Sequence, residues 1–312
     1  MNIAIVGAGS LGRLWAFRLS SLNAVLITRT YLQKSFLEKE GLIYFENDRI
    51  FKEVIKVKCI QENDFKSFDI ILVMVKQKDL PNVVSFLKRV AHPFTQVVFW
   101  QNGLGHEKIA KELGLQYTYA AITTEGCFKV GRNRVIYAGE GKTYIGSFPK
   151  FGLKPYAPLV SFVEILKSRG LAVKLVYDIS FVMWKKLAVN CLINPLTALY
   201  KLPNGELLSK RFEYVIQRLL AEILEVAKCC GVSLSFEEIL AFLKEICLKT
   251  RKNKSSMLQD LLQGKKTEID FLNNAIVSLA QKFKIKATYN SFLVKRIKEK
   301  EAEVEIEKKV RC

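Results

Sequence analysis

One lysine and two asparagines recur every four residues in the stretch KLAVNCLINPLTALYKLPNG (186–205): Lys186, Asn190 and Asn194. A third asparagine, Asn204, follows shortly after. That interval puts the first three on one face of a helix whose other positions are mostly apolar. Asparagine is a weak helix former, and a buried amide without partners costs about 1–3 kcal/mol. Two uses of the stripe stand open. In one, the lysine ammonium protonates the oxyanion left by hydride addition to a ketone, and the amides hold a small polar substrate. In the other, the stripe is an interhelical hydrogen-bond ladder with an exposed lysine. The chain has only two histidines, His92 and His106, so a lysine is the available acid. Burial lowers a lysine pKa from about 10.4, and a nearby carboxylate raises it again.

A second group lies at the start of the chain. The apolar run NIAIV runs straight into GAGSLG (7–12), and RLWAFRLS then has helical spacing. G-x-G-x-x-G between a strand and a helix is the context that binds a dinucleotide. Gly7 allows the tight turn, Gly9 lets the backbone approach a pyrophosphate, and Gly12 lets helix and strand pack closely. With Ala8, Ser10 and Leu11 they form a loop whose N–H groups face an anion at a helix start. The next apolar run ends LITRTYLQK, and residues 24–37 contain no acid that could hold a ribose 2′-hydroxyl. Arg29 stands where that acid is expected, with Lys34 nearby. A guanidinium fork suits a 2′-phosphate, so NADP(H) is the expected cofactor. Lys76 and Asn102 each follow a later apolar run, in VMVKQKDL and QNGLG. Ligands of open α/β sheets bind outside the carboxyl ends of the strands, which puts both at the mouth of such a site.

The elements that position these residues follow from hydropathy. AVLIT (24–28), IILVMV (70–75) and QVVFW (96–100) are continuous apolar runs, as in strands covered on both faces. Helical stretches such as LPNVVSFLKRVA (80–91) lie between them. This order predicts an α/β Rossmann-type doubly wound parallel sheet. RNRVIYAGEGKTYIGSF (132–148) reads as a hairpin, and LAVKLVY (171–177) as the last strand. From about 181 the spacing is helical to the end, which predicts an all-α C-terminal domain. The expected division is residues 1–178, binding NADP(H), and 179–312, carrying substrate and catalysis. Pro195 is expected to kink or restart its helix.

Composition narrows the function classes. A chain of 312 residues, half of them hydrophobic, can build about two cores. Its seven cysteines (59, 127, 191, 229, 230, 247 and 312) show no paired metal spacing and read as reduced thiols of a cytoplasmic protein. No metal site is expected. The first residues are too short an apolar run for a signal peptide, and no run is long enough to span a membrane. The 49 basic and 30 acidic residues give a net charge of +19, spread along the chain rather than in blocks. Such charge attracts anions in general, and no nucleic-acid or membrane partner is expected. A non-catalytic NADPH-binding regulator that holds nucleic acid through this charge is the reading from another class. It predicts salt-sensitive binding.

The residues above resemble the 2-dehydropantoate 2-reductase (ketopantoate reductase) family. The resemblance rests on GAGSLG (7–12), VK (75–76), QNG (101–103), KLAVNCLINPLTAL with PNGEL (186–207), and SSMLQD with TEID (255–270), in order along nearly the whole chain. It implies a Rossmann domain and a helical domain. The implied reaction is NADPH-dependent reduction of 2-dehydropantoate to (R)-pantoate, on the route to pantothenate and coenzyme A. Reduction of another 2-oxo acid by a paralogue is the alternative. Lys186 would donate the proton, and Asn190, Asn194, Asn204 and Ser256 would hold the substrate's hydroxyl and carboxylate. Asn102 would touch cofactor and substrate. Glu268 would orient, near Lys186 or the cofactor ribose, without transferring the proton. Residues 7–12 and Lys76 would bind NADPH. The chain departs from the pattern at TTEGCF, where Cys127 replaces a residue that is often small and uncharged. A backbone contact of Cys127 with the cofactor would tolerate the change. The resemblance is compatible with a monomer or a homodimer acting on a small molecule.

Overall fold

The apolar runs form strands because each is covered on both faces. The computed structural model describes residues 1–47, 49–139, 141–150 and 152–311, the side chains of 307–311 excepted. The chain divides into two compact units, Met1–Gln101 with His106–Ile179, and Asn102–Gly105 with Ser180–Cys312. The contiguous division expected from the sequence lacks the excursion of Asn102–Gly105.

In the first unit the chain alternates between strand and helix: β1 (Ile3–Val6), α1 (Ser10–Arg18), β2 (Val25–Thr28), α2 (Tyr31–Glu40), then β3 (Leu42–Glu46), β4 (Arg49–Glu53) and β5 (Lys56–Cys59). It continues through β6 (Ile70–Val73), α3 (Val84–Val90), β7 (Gln96–Phe99), α4 (Glu107–Leu113) and β8 (Thr118–Thr123). It closes with β9 (Gly126–Val130), β10 (Arg134–Gly139), β11 (Thr143–Ser147), α5 (Ala157–Ser168) and β12 (Val173–Leu175). Eight strands form one sheet in the order β12-β11-β8-β7-β6-β1-β2-β5, parallel except between β11 and β8. Strands β1, β6, β7 and β8 are buried along their whole length, which accounts for the uninterrupted apolar runs.

A second sheet, β4-β3-β10-β9, was not legible in the hydropathy. It also corrects the expected hairpin over 132–148. β10 pairs with β9 and β3, whereas β11 pairs with β8 and β12 in the main sheet. The true hairpin is β9–β10. Residue 140, within the expected turn, lies outside the described residues. Helix α1 packs against the small sheet, where the Phe17 ring stacks on Tyr44 at 4.6 Å and Leu14 is buried with Val135.

The second unit is helical: α6 (Ile179–Tyr200), whose first residue belongs to the first unit, α7 (Glu213–Cys229), α8 (Phe236–Lys249), α9 (Ser256–Leu262), α10 (Asn273–Lys282) and α11 (Thr288–Arg311). Leu187, Ala188, Cys191, Leu192 and Ala198 of α6 lie at the centre of its core. Helix α6 is continuous through Pro195 and does not restart there. A proline there removes the bond to the Cys191 carbonyl. That carbonyl instead accepts the Asn273 side-chain amide at 3.0 Å. The helix is followed by Lys201, in the left-handed region at φ 53°, after which the Leu202 N–H reaches back to the Thr197 carbonyl. Among the described residues, six cysteines are free and no helix is long and apolar enough to cross a membrane. Cys312 lies outside the described residues.

Candidate functional site

The glycine loop of the first unit owes its shape to two contacts. A Cβ on Gly12 would sit 1.8 Å from the Gly7 carbonyl oxygen, and one on Gly7, at φ +111°, would sit 2.8 Å from Val75. Both positions therefore exclude a side chain. Gly9 differs: a Cβ there would meet nothing within 4 Å, and the residue is exposed. The loop is thus closed beneath and open above, where helix α1 starts without a side-chain cap. Free N–H groups at the start of a nine-residue helix, under open space, fit a pyrophosphate.

Arg29 follows β2, is exposed, and has no partner among the described residues. Lys34 is not available beside it, because it pairs with Glu62 at 2.8 Å. Lys76 is exposed three residues after the end of β6. These positions fit a phosphorylated dinucleotide. Cys127 lies half-buried on β9, two residues from Lys129, whose N–H donates to Ser10 Oγ of the loop at 3.0 Å. Burial, aided by Glu125, pushes the Cys127 thiol up to about 12, so it stays protonated. Glu125 is tied to Arg18 of α1 at 2.8 Å in a largely buried ion pair.

In the second unit the stripe lies on α6 as its spacing requires. Asn190 is half-buried and Asn194 is 9% exposed, and neither amide makes a hydrogen bond among the described residues. Asn190 and Asn194 therefore form no interhelical ladder among the described residues. Asn204 is buried at the start of the 3₁₀ turn Asn204–Leu208, and its Oδ1 has no partner among the described residues. Ser255 caps α9, accepting the Leu258 N–H at 3.2 Å, and is itself bonded to Thr197. The neighbouring Ser256 is exposed and makes no hydrogen bond among the described residues.

Lys186 is half-buried by surface exposure, and its ammonium donates to Asn102 Oδ1 at 2.8 Å. The Asn102 Nδ2 in turn donates to Glu268 Oε2 at 3.4 Å. The amide thus shows its acceptor to a cation and its donor to an anion, which fixes its orientation electrostatically. The Leu104 N–H bonds the Phe271 carbonyl at 2.9 Å, which docks this segment beside the 3₁₀ turn Ile269–Phe271 that follows Glu268. Gly103 permits the approach: at φ +80°, a Cβ there would lie 2.1 Å from the Phe271 oxygen. Burial lowers the Lys186 pKa to about 8, and the Glu268 charge opposes that fall.

The two family models for ketopantoate reductase PanE/ApbA match residues 3–150 and, for the C-terminal part, 178–301. A 2-dehydropantoate 2-reductase of Archaeoglobus fulgidus is 31% identical over 301 residues, covering 95% of this chain and 97% of the relative. The chain belongs to the ketopantoate reductase family. A second relative of that name, from Vibrio cholerae, is 30% identical over 304 residues, covering 96% and 97%. The crystal structure of a probable 2-dehydropantoate 2-reductase from Bacillus subtilis, 26% identical, superposes with a TM-score of 0.82 over 96% of this chain and all of that one.

Sequence reading passed over one residue of this reductase's loop. Arg13 is 1% exposed and has no carboxylate partner among the described residues. Its Nε donates to the Ala8 carbonyl at 3.1 Å, which holds the loop from below, and burial lowers its pKa to about 10. A basic residue directly after Gly12 was the available signal.

Proposed function

We infer that this protein is an NADPH-dependent 2-dehydropantoate 2-reductase. The observation that carries the reading is the chain Lys186–Asn102–Glu268, with Asn190 and Asn194 on the same helix as Lys186 and their amides making no hydrogen bond among the described residues. The loop at 7–12, Arg29 and Lys76 hold the cofactor, Arg29 at the 2′-phosphate, with Asn102, Glu268 and the backbone of Cys127 as further contacts. Bound NADPH supplies a hydride to the substrate's keto carbon. Lys186 gives its proton to the oxygen on which charge develops. Burial suits it to this task, since an ammonium with a pKa near 8 gives up a proton more readily than one near 10.5. Asn102 aims the ammonium, and Glu268 keeps it charged near neutral pH. Asn190, Asn194, Asn204 and Ser256 hold the substrate's carboxylate and hydroxyl. The enzyme acts in the cytoplasm on a small molecule, as a monomer or homodimer, without nucleic acid or membrane.

The test is the loss of reduced-nicotinamide absorbance with 2-dehydropantoate, comparing NADPH with NADH. Rapid oxidation of NADPH alone supports the substrate and the role of Arg29 together. Equal rates remove the 2′-phosphate argument. Turnover only with some other 2-oxo acid removes the substrate assignment.

A further inference from the structure

Asn204 is held by more than its own backbone. Its N–H donates to the Asn253 carbonyl at 2.9 Å, and the Gly205 N–H to the Arg251 carbonyl at 3.2 Å. Its side-chain Nδ2 donates to Thr250 Oγ1 at 2.9 Å. Thr250, the residue that closes α8, spends its single hydroxyl proton on the Ile246 carbonyl at 2.7 Å. A hydroxyl with its proton committed can only accept from further partners. The amide must therefore present its nitrogen to Thr250, which turns Oδ1 the other way. That oxygen is buried, and no donor among the described residues meets it.

We propose that Thr250 is a positioning residue that fixes Asn204 Oδ1 as an acceptor, and that this acceptor selects 2-oxo acids carrying a hydroxyl donor. The inference rests on the assignment of Asn204 to the substrate made above. An acid with the same carbon frame but no hydroxyl leaves a buried acceptor unmet, and its carboxylate and keto oxygens bring no proton to it. A site built around such a bond discriminates strongly against an analogue lacking it. Without Thr250 the amide is free to flip, and the preference weakens.

The test compares kcat/KM for 2-dehydropantoate and for 3,3-dimethyl-2-oxobutanoate, the same frame without the hydroxyl, at saturating NADPH. The unmodified enzyme is expected to favour the hydroxylated acid by about 10–100-fold. In Thr250→Val the loss on the hydroxylated acid should exceed the loss on the other by about tenfold. Thr250→Ser, which can make both bonds, should restore the preference. Equal losses on both acids in Thr250→Val would give Thr250 a merely structural role and overturn the proposal, as would a preference near one in the unmodified enzyme. That second result leaves the reductase reading standing, whereas failure to reduce either acid removes that reading and the proposal with it. Thermal unfolding of both variants separates a folding defect from a lost preference.

Discussion

The sharpest expectation concerns Glu268→Gln and the pH dependence of reduction. Lys186 donates a proton only as an ammonium. With its pKa at about 8, kcat/KM should be level below that pH and fall about tenfold per unit above it. Glu268 holds the pKa up, and the bridging amide shows how strongly. Two hydrogen bonds, 2.8 and 3.4 Å, and the width of one amide separate the charges by less than about 9 Å. At an effective dielectric of about 20 to 40, that separation is worth about 1–2 kcal/mol in favour of the ammonium. This energy corresponds to roughly one pH unit. Glutamine keeps an oxygen for Asn102 Nδ2, so the variant removes charge while retaining the bridge.

The assay is the pH profile of kcat/KM with NADPH and 2-dehydropantoate for the unmodified enzyme and Glu268→Gln. The falling limb should move to lower pH by about one unit, with the plateau well below it changed severalfold at most. Lys186→Arg, charged throughout the range, should show no limb at that position. A limb that stays in place in Glu268→Gln, or moves to higher pH, refutes the electrostatic role of Glu268. A limb near pH 8 that survives in Lys186→Arg refutes Lys186 as the donor.

Three further outcomes follow from the same structure. A lysine whose folded pKa lies below its unfolded value binds fewer protons when folded, so its burial costs stability below about pH 8 and the cost fades toward 10.5. Lys186→Met should therefore be inactive but more stable by about 1–2 kcal/mol at pH 7, with the gain shrinking near pH 10, as denaturant titrations at both pH values will show. Gly12→Ala, with its Cβ 1.8 Å from the Gly7 oxygen, should cost about 2–4 kcal/mol of stability and abolish NADPH binding, read by thermal unfolding and nucleotide fluorescence. Asn273→Ala should cost about 2–4 kcal/mol, because it strips the Cys191 carbonyl and Asn290 of a buried partner, and about 1 kcal/mol less in a Pro195→Ala background, where the helix supplies its own bond.

What was legible in the sequence was local. The glycine loop announces itself because strand, turn and helix are consecutive, and the stripe on α6 because a four-residue interval on one helix needs no knowledge of its surroundings. The small sheet was not legible, since β3 pairs with β10, about ninety residues away, and β4 is exposed along its length. A hydropathy reading therefore joined β10 to the next strand in sequence. Lys34 looked like a second cation for the cofactor until Glu62 proved to occupy it.

Pro195 shows why the rest could not be read. The rule that proline breaks a helix concerns an unpaired carbonyl and a steric clash, and the sequence shows only the proline. The partner that satisfies the carbonyl, Asn273, lies on another helix and is itself held by Asn290, which bonds Glu222. Asn204 follows the same logic in reverse. Its amide looks like any turn asparagine, yet its open acceptor exists only because Thr250, on a different element, has already spent its proton. In both cases residue type states what bonds a group can make, and the fold decides which of them remain to be made. That remainder, a lysine bonded to one amide, two asparagine amides without a bond among the described residues and one unmet amide oxygen, is what a substrate would complete.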